Sequence, residues 1–128
     1  MSTRVLVVDD DPAILRSISK VLARDGFDVA TASDAVPALD QAAERPPDIV
    51  VVDFNMPTSG LEVVQKLKRA FADQIFVAVL TGEDSEQMRA CCLDAGADAV
   101  LIKPIAPTEL RRRLTAAALA LKTLPAAS

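Results

Sequence analysis

The sequence predicts an α/β fold built on a doubly wound parallel sheet in three layers, and three observations carry that prediction. Strand-like and helix-like patterns alternate along the chain, without repeats or low-complexity blocks, and strands separated by helices pair in parallel. The runs at 5–8 (VLVV) and 49–52 (IVVV) are apolar throughout rather than alternating, as strands covered on both faces are. The length of 128 residues, 51% of them apolar, is about one domain's worth around a single core.

Val5 to Val8 is the first buried strand. Asp11-Pro12 then supplies an N-cap and an N1 proline for a helix with Ile14, Ile18, Val21 and Leu22 on one face, ending near Gly26. Phe27 to Thr31 is a more polar strand, which suits a sheet edge. Asp34 can cap the second helix, with Pro37 in the tolerated first turn, and Pro46-Pro47 stops it before the third strand. That strand, Ile49 to Val52, ends in a carboxylate, Asp53. Ser59-Gly60-Leu61-Glu62 reads as a capping box opening a third helix, with Leu61, Val64, Leu67 and Lys68 spaced for one face and its rim. Ile75 to Leu80 is the fourth strand. A fourth helix from about Asp84 places Met88, Cys91, Cys92 and Ala95 at i, i+3, i+4 and i+7, and Gly96 closes it. Ala99 to Ile102 is the fifth strand, and Pro107 starts a last helix carrying Leu110, Leu114, Ala117, Ala118 and Leu121. Its N-cap position, Ala106, offers no side-chain oxygen, a deficit of about 1 kcal/mol. The domain is expected over 1–122, with 123–128 as a tail or the start of a linker.

Composition narrows the functions. No apolar run approaches the roughly 20 residues needed to span a bilayer, and the start, MSTRVLVVDD, has too short an apolar run for a signal peptide. A cytoplasmic protein without membrane contact is expected. The net charge of −4 argues against direct nucleic-acid binding, which needs cations to displace counterions. Cys91 and Cys92 are adjacent, and neighbouring Cα atoms about 3.8 Å apart are too close for a disulfide. In a chain with no histidine they read as packing residues rather than metal ligands, and histidine-based catalysis is excluded. Arg16, Lys20 and Arg24 on the first helix and Arg111 to Arg113 on the last read as solvated faces, with docking of a phosphodonor as the functional alternative for the first stripe.

Polar residues converge at one rim. In a doubly wound sheet the C-terminal ends of all strands share an edge, where ligands bind. The first buried run gives way to Asp9, Asp10 and Asp11, the third to Asp53, the fourth to Thr81 and the fifth to Lys103. Crowded carboxylates repel unless a cation neutralises them. Oxygen ligands from Asp10, Asp53 and a loop carbonyl such as that of Asn55 suit a hard cation like Mg²⁺. Lys103 and the Thr81 hydroxyl suit phosphoryl oxygens, which leaves Asp53 as a nucleophile toward phosphorus. Asp11, before a proline and a helix, reads as a cap.

VVDDDP, VVVDFNMP, VLTGED and LIKP, in this order and spacing over about residues 4 to 122, resemble the receiver domain of bacterial two-component response regulators. The resemblance implies a flavodoxin-like sheet of order 2-1-3-4-5. It also implies an acidic pair, Asp9 and Asp10, that holds Mg²⁺ (or Mn²⁺) together with Asp53 and the Asn55 backbone carbonyl. Asp53 would be the phosphoacceptor, Thr81 the switch hydroxyl and Lys103 the salt-bridge partner, followed by a cis bond to Pro104. Asn55 and Glu83 match positions that tune dephosphorylation, so a short-lived phosphoryl group is expected. The implied phosphodonor is a histidine kinase or a histidine phosphotransfer protein, and the implied target an output domain or effector protein, with homodimerisation open. Two positions depart from the family's pattern: Val100 stands where an aromatic switch residue is usual, and Ile105 where phenylalanine follows Lys-Pro. Val100 cannot report its state through a large ring, so signalling through the last two helices is expected to differ.

The leading reading is therefore a switch whose only chemistry is accepting and losing its own phosphoryl group, not an enzyme acting on other molecules. A degenerate receiver working through contacts alone is the alternative that Val100 keeps open. An aspartate-nucleophile phosphatase is disfavoured, because its second Asp, two residues after the nucleophile, is here Asn55.

Overall fold

The computed structural model describes residues 3–56 and 60–123. Its elements are β1 (Arg4–Val8), α1 (Pro12–Arg24), β2 (Asp28–Ala32), α2 (Ala35–Glu44), β3 (Ile49–Asp53), α3 (Gly60–Phe71), β4 (Phe76–Thr81), α4 (Glu86–Ala95), β5 (Ala99–Ile102) and α5 (Pro107–Thr123), with a 3₁₀ turn at Ala72–Gln74. The strands lie in the order β2-β1-β3-β4-β5, all parallel. Val8, Val52 and Val79 stand side by side across the centre.

Strand periodicity divides the core in two. Leu6, Val8, Val50, Val52, Val77 and Val79 point to the face covered by Ala38 and Ala42 of α2, Val63, Val64 and Leu67 of α3, and Cys92 of α4. Their neighbours Val5, Val7, Ile49, Val51, Ala78 and Leu80 point to the other face, covered by Ile18 and Leu22 of α1 and Leu110, Leu114, Ala117 and Ala118 of α5. Both faces of the sheet are dry, which is why its central strands carry no alternation. Each of the larger side chains removed from water contributes about 1.5–3 kcal/mol.

The predicted elements are present, with local corrections. Asp11 and Asp34 cap α1 and α2 through the Ala13 and Ala35 N–H groups. Gly26 ends the α1 turn at φ 89° and Gly96 closes α4 at φ 115°, conformations in which a Cβ is strained. The edge strand β2 begins one residue later than expected and includes buried Ala32, because the Phe27 N–H turns back to the Leu22 carbonyl. β4 is likewise shifted by one. α4 begins at Glu86 rather than near Asp84, with Ser85 as its cap; Asp84 pairs with Arg89. Cys91, expected to pack, is exposed, and only Cys92 is buried. The Ser59 arm of the expected capping box and the tail beyond Thr123 lie outside the described residues.

Lys68, placed by its spacing at the rim of α3, is a tie between layers. Its Nζ binds Asp98 and the Ile75 carbonyl at 2.6 and 2.9 Å, while Asp98 also accepts from the buried Val77 N–H at 2.8 Å. The ion pair thus fixes the end of α3 to the turn before β5.

Candidate functional site

Sheet hydrogen bonds continue one residue past the strands and pin the site. The Asp9 N–H donates to the Ala32 carbonyl, Phe54 N–H to Leu80, and Lys103 N–H to Thr81, at 3.1, 2.8 and 2.8 Å. The backbone just beyond the apolar runs is therefore tied into the sheet. Asp9, Asp53 and Thr81 are the buried polar residues among those described, at 1%, 3% and 1% exposure.

Carboxylate oxygens of Asp9, Asp10 and Asp53 lie within 4.8 Å of one another. Lys103 Nζ reaches Asp53 Oδ1 at 2.9 Å and Asp9 Oδ2 at 3.7 Å. The Asn55 N–H also donates to Asp53 Oδ1, at 3.1 Å, which fixes the carboxylate from its own loop. Asp9 Oδ1 accepts from the Asp11 N–H at 2.9 Å, whereas Asp9 Oδ2 is buried without a hydrogen bond. One ammonium thus pairs with two of the three clustered carboxylates, and one buried oxygen is left without a hydrogen bond.

The electrostatics agree. Burial pushes the Asp9 carboxyl above its ordinary range; the Asp11 N–H opposes this and the Asp53 charge adds to it. Burial works to lower the Lys103 ammonium, but its hydrogen bond to Asp53 and the charges of Asp9 and Asp53 outweigh that and hold it above its usual value. Lys103 stays charged at neutral pH.

Sequence reasoning and structure place the same residues together at this rim. The Lys103-Pro104 peptide is cis, as expected. Thr81 Oγ1 accepts from the Glu83 N–H at 3.1 Å, and the side-chain amide of Asn55 lies beside Gly82. The Asp11 side chain is a helix cap. Val100 and Met88 are half-buried against the α2–α3–α4 side of the core, and Ile105 against the α1–α5 side. Ile105 also lines a largely apolar cavity of about 550 Å³ between α1 and the end of β5, shared with Ile14, Ser17, Ile18, Lys103 and Pro104. Arg16, Lys20 and Arg24 are exposed on α1, while Arg111, Arg112 and Arg113 pair with Asp25 or Glu109. Sequence reasoning missed the role of Ser85, although Ser-x-x ahead of Met88 carries the signal for a cap.

Comparison with known proteins gives the same picture. Residues 5–115 match the model of a family described as the response regulator receiver domain. Response regulators named MprA from Mycobacterium bovis and Mycobacterium tuberculosis are 46% identical over 117 residues, 91% of this chain and 50% of theirs. The chain thus spans about half the length of the curated relatives it matches. Among solved structures, a CheY-like receiver domain protein from Methanospirillum hungatei superposes with a TM-score of 0.89 at 28% identity, covering 95% of this chain and 98% of the other. The chemotaxis protein CheY4 of Vibrio cholerae does so with 0.85 at 30% identity, over 91% and 98%.

Proposed function

The chain belongs to the response regulator receiver domain family, and from that premise we propose that it accepts a phosphoryl group on Asp53. The observation that carries this reading is a buried carboxylate at the end of β3, bound by Lys103 Nζ at 2.9 Å and flanked by Asp9 and Asp10. Two-component signalling supplies the donor, a histidine kinase or histidine phosphotransfer protein, which puts the reaction in the cytoplasm. An output domain, an effector protein or a second receiver would read the result.

An Asp53 oxygen attacks phosphorus, forming an O–P bond, while the bond from phosphorus to the donor breaks and its electron pair leaves with the donor nitrogen or oxygen. Solvent protonates the leaving group. Lys103 holds the carboxylate in place and then follows the charge onto a phosphoryl oxygen, and Thr81 donates its hydroxyl to another. Water later attacks phosphorus, the bond from phosphorus to the Asp53 oxygen breaks with its electron pair returning to the carboxylate, and inorganic phosphate leaves with the water's proton lost to solvent, with Asn55 and Glu83 as the residues that tune this step. This self-directed cycle is the only turnover proposed.

The donor set fits a hard divalent cation, since every ligand is oxygen and Asp9 Oδ2 has no hydrogen bond. Asp9, Asp10, Asp53 and the Asn55 carbonyl would hold Mg²⁺ or, in its place, Mn²⁺, which would supply charge neutralisation and affinity for the phosphoryl oxygens. In Asp9→Asn the amide oxygen still accepts from the Asp11 N–H, and a buried charge is gone. The variant is expected to be at least as stable as wild type in chelator and to lose the stabilisation that Mg²⁺ gives wild type. Urea denaturation with and without Mg²⁺ measures both; a less stable variant, or one with an undiminished Mg²⁺ response, contradicts the assignment.

The exposed Arg16 and Lys20 and the apolar cavity beside Lys103 support docking of the phosphodonor on the α1 side. The central test is intact-mass analysis after incubation with acetyl phosphate. One phosphoryl adduct is expected, dependent on Mg²⁺ and lost within minutes to hours. Failure to form it with two donors and folded protein would favour the contact-only alternative.

A further inference from the structure

Three hydrogen bonds connect Thr81 to α4 through the exposed residue Glu83. Its Oγ1 accepts from the Glu83 N–H at 3.1 Å, the Glu83 carboxylate accepts from the Ser85 hydroxyl at 2.9 Å, and Ser85 Oγ accepts from the Met88 N–H at 3.1 Å as the cap of α4. Ser85 thus commits its single proton to Glu83 and a lone pair to the helix. A displacement of the Ser85 oxygen is felt by both bonds.

α4 buries less than its neighbour: Cys92 is its one fully buried residue, with Met88 and Ala95 half-buried against the core, whereas α3 buries Gly60, Val63, Val64 and Leu67. A helix with so small a buried face depends on its cap for position and for protection of its first turn. On the adjoining strand β5, Val100 packs half-buried against the same side of the core, with no ring to swing.

We propose that Ser85 is a positioning residue that transmits the state of Thr81 to α4, in place of an aromatic residue at Val100. The inference rests on the phosphoacceptor reading of Asp53. When the Thr81 hydroxyl turns to donate to a phosphoryl oxygen, it releases the Glu83 N–H or draws it along. In either case the turn at 83–85 moves the Ser85 hydroxyl, and the N-terminus of α4 is re-aimed or loosened. A partner that touches α4 then meets a different surface.

Amide hydrogen exchange of the full chain, with and without acetyl phosphate and Mg²⁺ and with intact mass in parallel, tests this. In wild type, exchange at Met88 and Arg89 is expected to change about fivefold when the adduct forms. Ser85→Thr keeps both hydrogen bonds and retains the response. Ser85→Asp caps the helix but has no proton for Glu83 at neutral pH, so α4 stays formed, the adduct still appears, and the response is lost. A Ser85→Asp variant that responds like wild type makes Ser85 an ordinary cap and overturns the proposal, as does a wild-type adduct that leaves α4 unchanged.

A second arm needs no phosphoryl group. In the unmodified protein, Thr81→Val and Ser85→Ala each raise exchange at Met88 and Arg89, and the double variant falls short of the product of the two effects by about threefold. Independent effects overturn the proposal whether or not an adduct forms. An absent wild-type adduct counts only against the acceptor reading, so the two failures are distinguishable.

Discussion

Asp53→Asn takes up no phosphoryl group from acetyl phosphate and yet folds with nearly the stability of wild type, whereas Lys103→Ala is impaired in both respects. The amide of asparagine accepts from the Asn55 N–H as the carboxylate does, at 3.1 Å in the native protein, but it is no nucleophile toward phosphorus. Its effect on stability is small because two changes oppose each other. Lys103 loses its closest charged partner, and buried Asp9 loses the repulsion of a second carboxylate, leaving a net change of about 1 kcal/mol or less. Removing Lys103 has no such compensation. Asp9 and Asp53, both buried, are left without the ammonium that lies 3.7 and 2.9 Å away, which costs about 3 kcal/mol in chelator. Losing the positive charge that follows the phosphoryl oxygens slows acceptance by about a hundredfold. Mg²⁺ recovers part of the stability, since it neutralises the same carboxylates. Urea denaturation and timed intact-mass spectra measure the two effects; equal stability of wild type and Lys103→Ala in chelator, or an adduct on Asp53→Asn at the wild-type rate, would refute this account.

The rim was legible in the sequence because strand ends are. Uninterrupted apolar runs locate buried parallel strands, and the parallel arrangement puts Asp9, Asp53, Thr81 and Lys103 on one edge without further information. The acidic residue that caps α1 could be separated from those in the site because Pro12 follows it. Less legible were features that depend on partners distant in the chain. Lys68 has the spacing of a solvated rim residue, and nothing near it shows that Asp98 and two backbone oxygens, Ala72 and Ile75, await its ammonium. Cys91 and Cys92 both fit the apolar face of α4 by periodicity, but α4 presents so narrow a buried stripe that only Cys92 enters it. The β2 boundary moved because the chain leaving α1 folds back on Leu22, a contact that propensity does not encode. The start of α4 lies two residues beyond Asp84, because the Ser85 hydroxyl takes the Met88 N–H as the cap.

Gly60→Ala costs about 3 kcal/mol and slows phosphoryl acceptance by about tenfold, although it adds one methyl group outside the catalytic set. Gly60 opens α3, and its φ lies outside the left-handed region, so the demand for glycine is steric. A Cβ built there stands 2.6 Å from the Asp53 carbonyl oxygen and 3.2 Å from the Phe54 Cα. Both are backbone atoms, and neither can rotate aside as a side chain would. The segment from Asp53 to Asn55 must therefore move, and it carries the nucleophile together with the N–H that orients it. Gly26→Ala provides the contrast. Gly26 has φ 89° with nothing within 4 Å of an added Cβ, so its cost is conformational, about 1 kcal/mol, and acceptance is unchanged. Urea midpoints rank the two variants by stability, and the rate of adduct formation under conditions where both are fully folded separates loss of stability from displacement of Asp53. Wild-type acceptance by folded Gly60→Ala would mean that α3 yields rather than the Asp53 loop, and that the position of the nucleophile is set by the sheet alone.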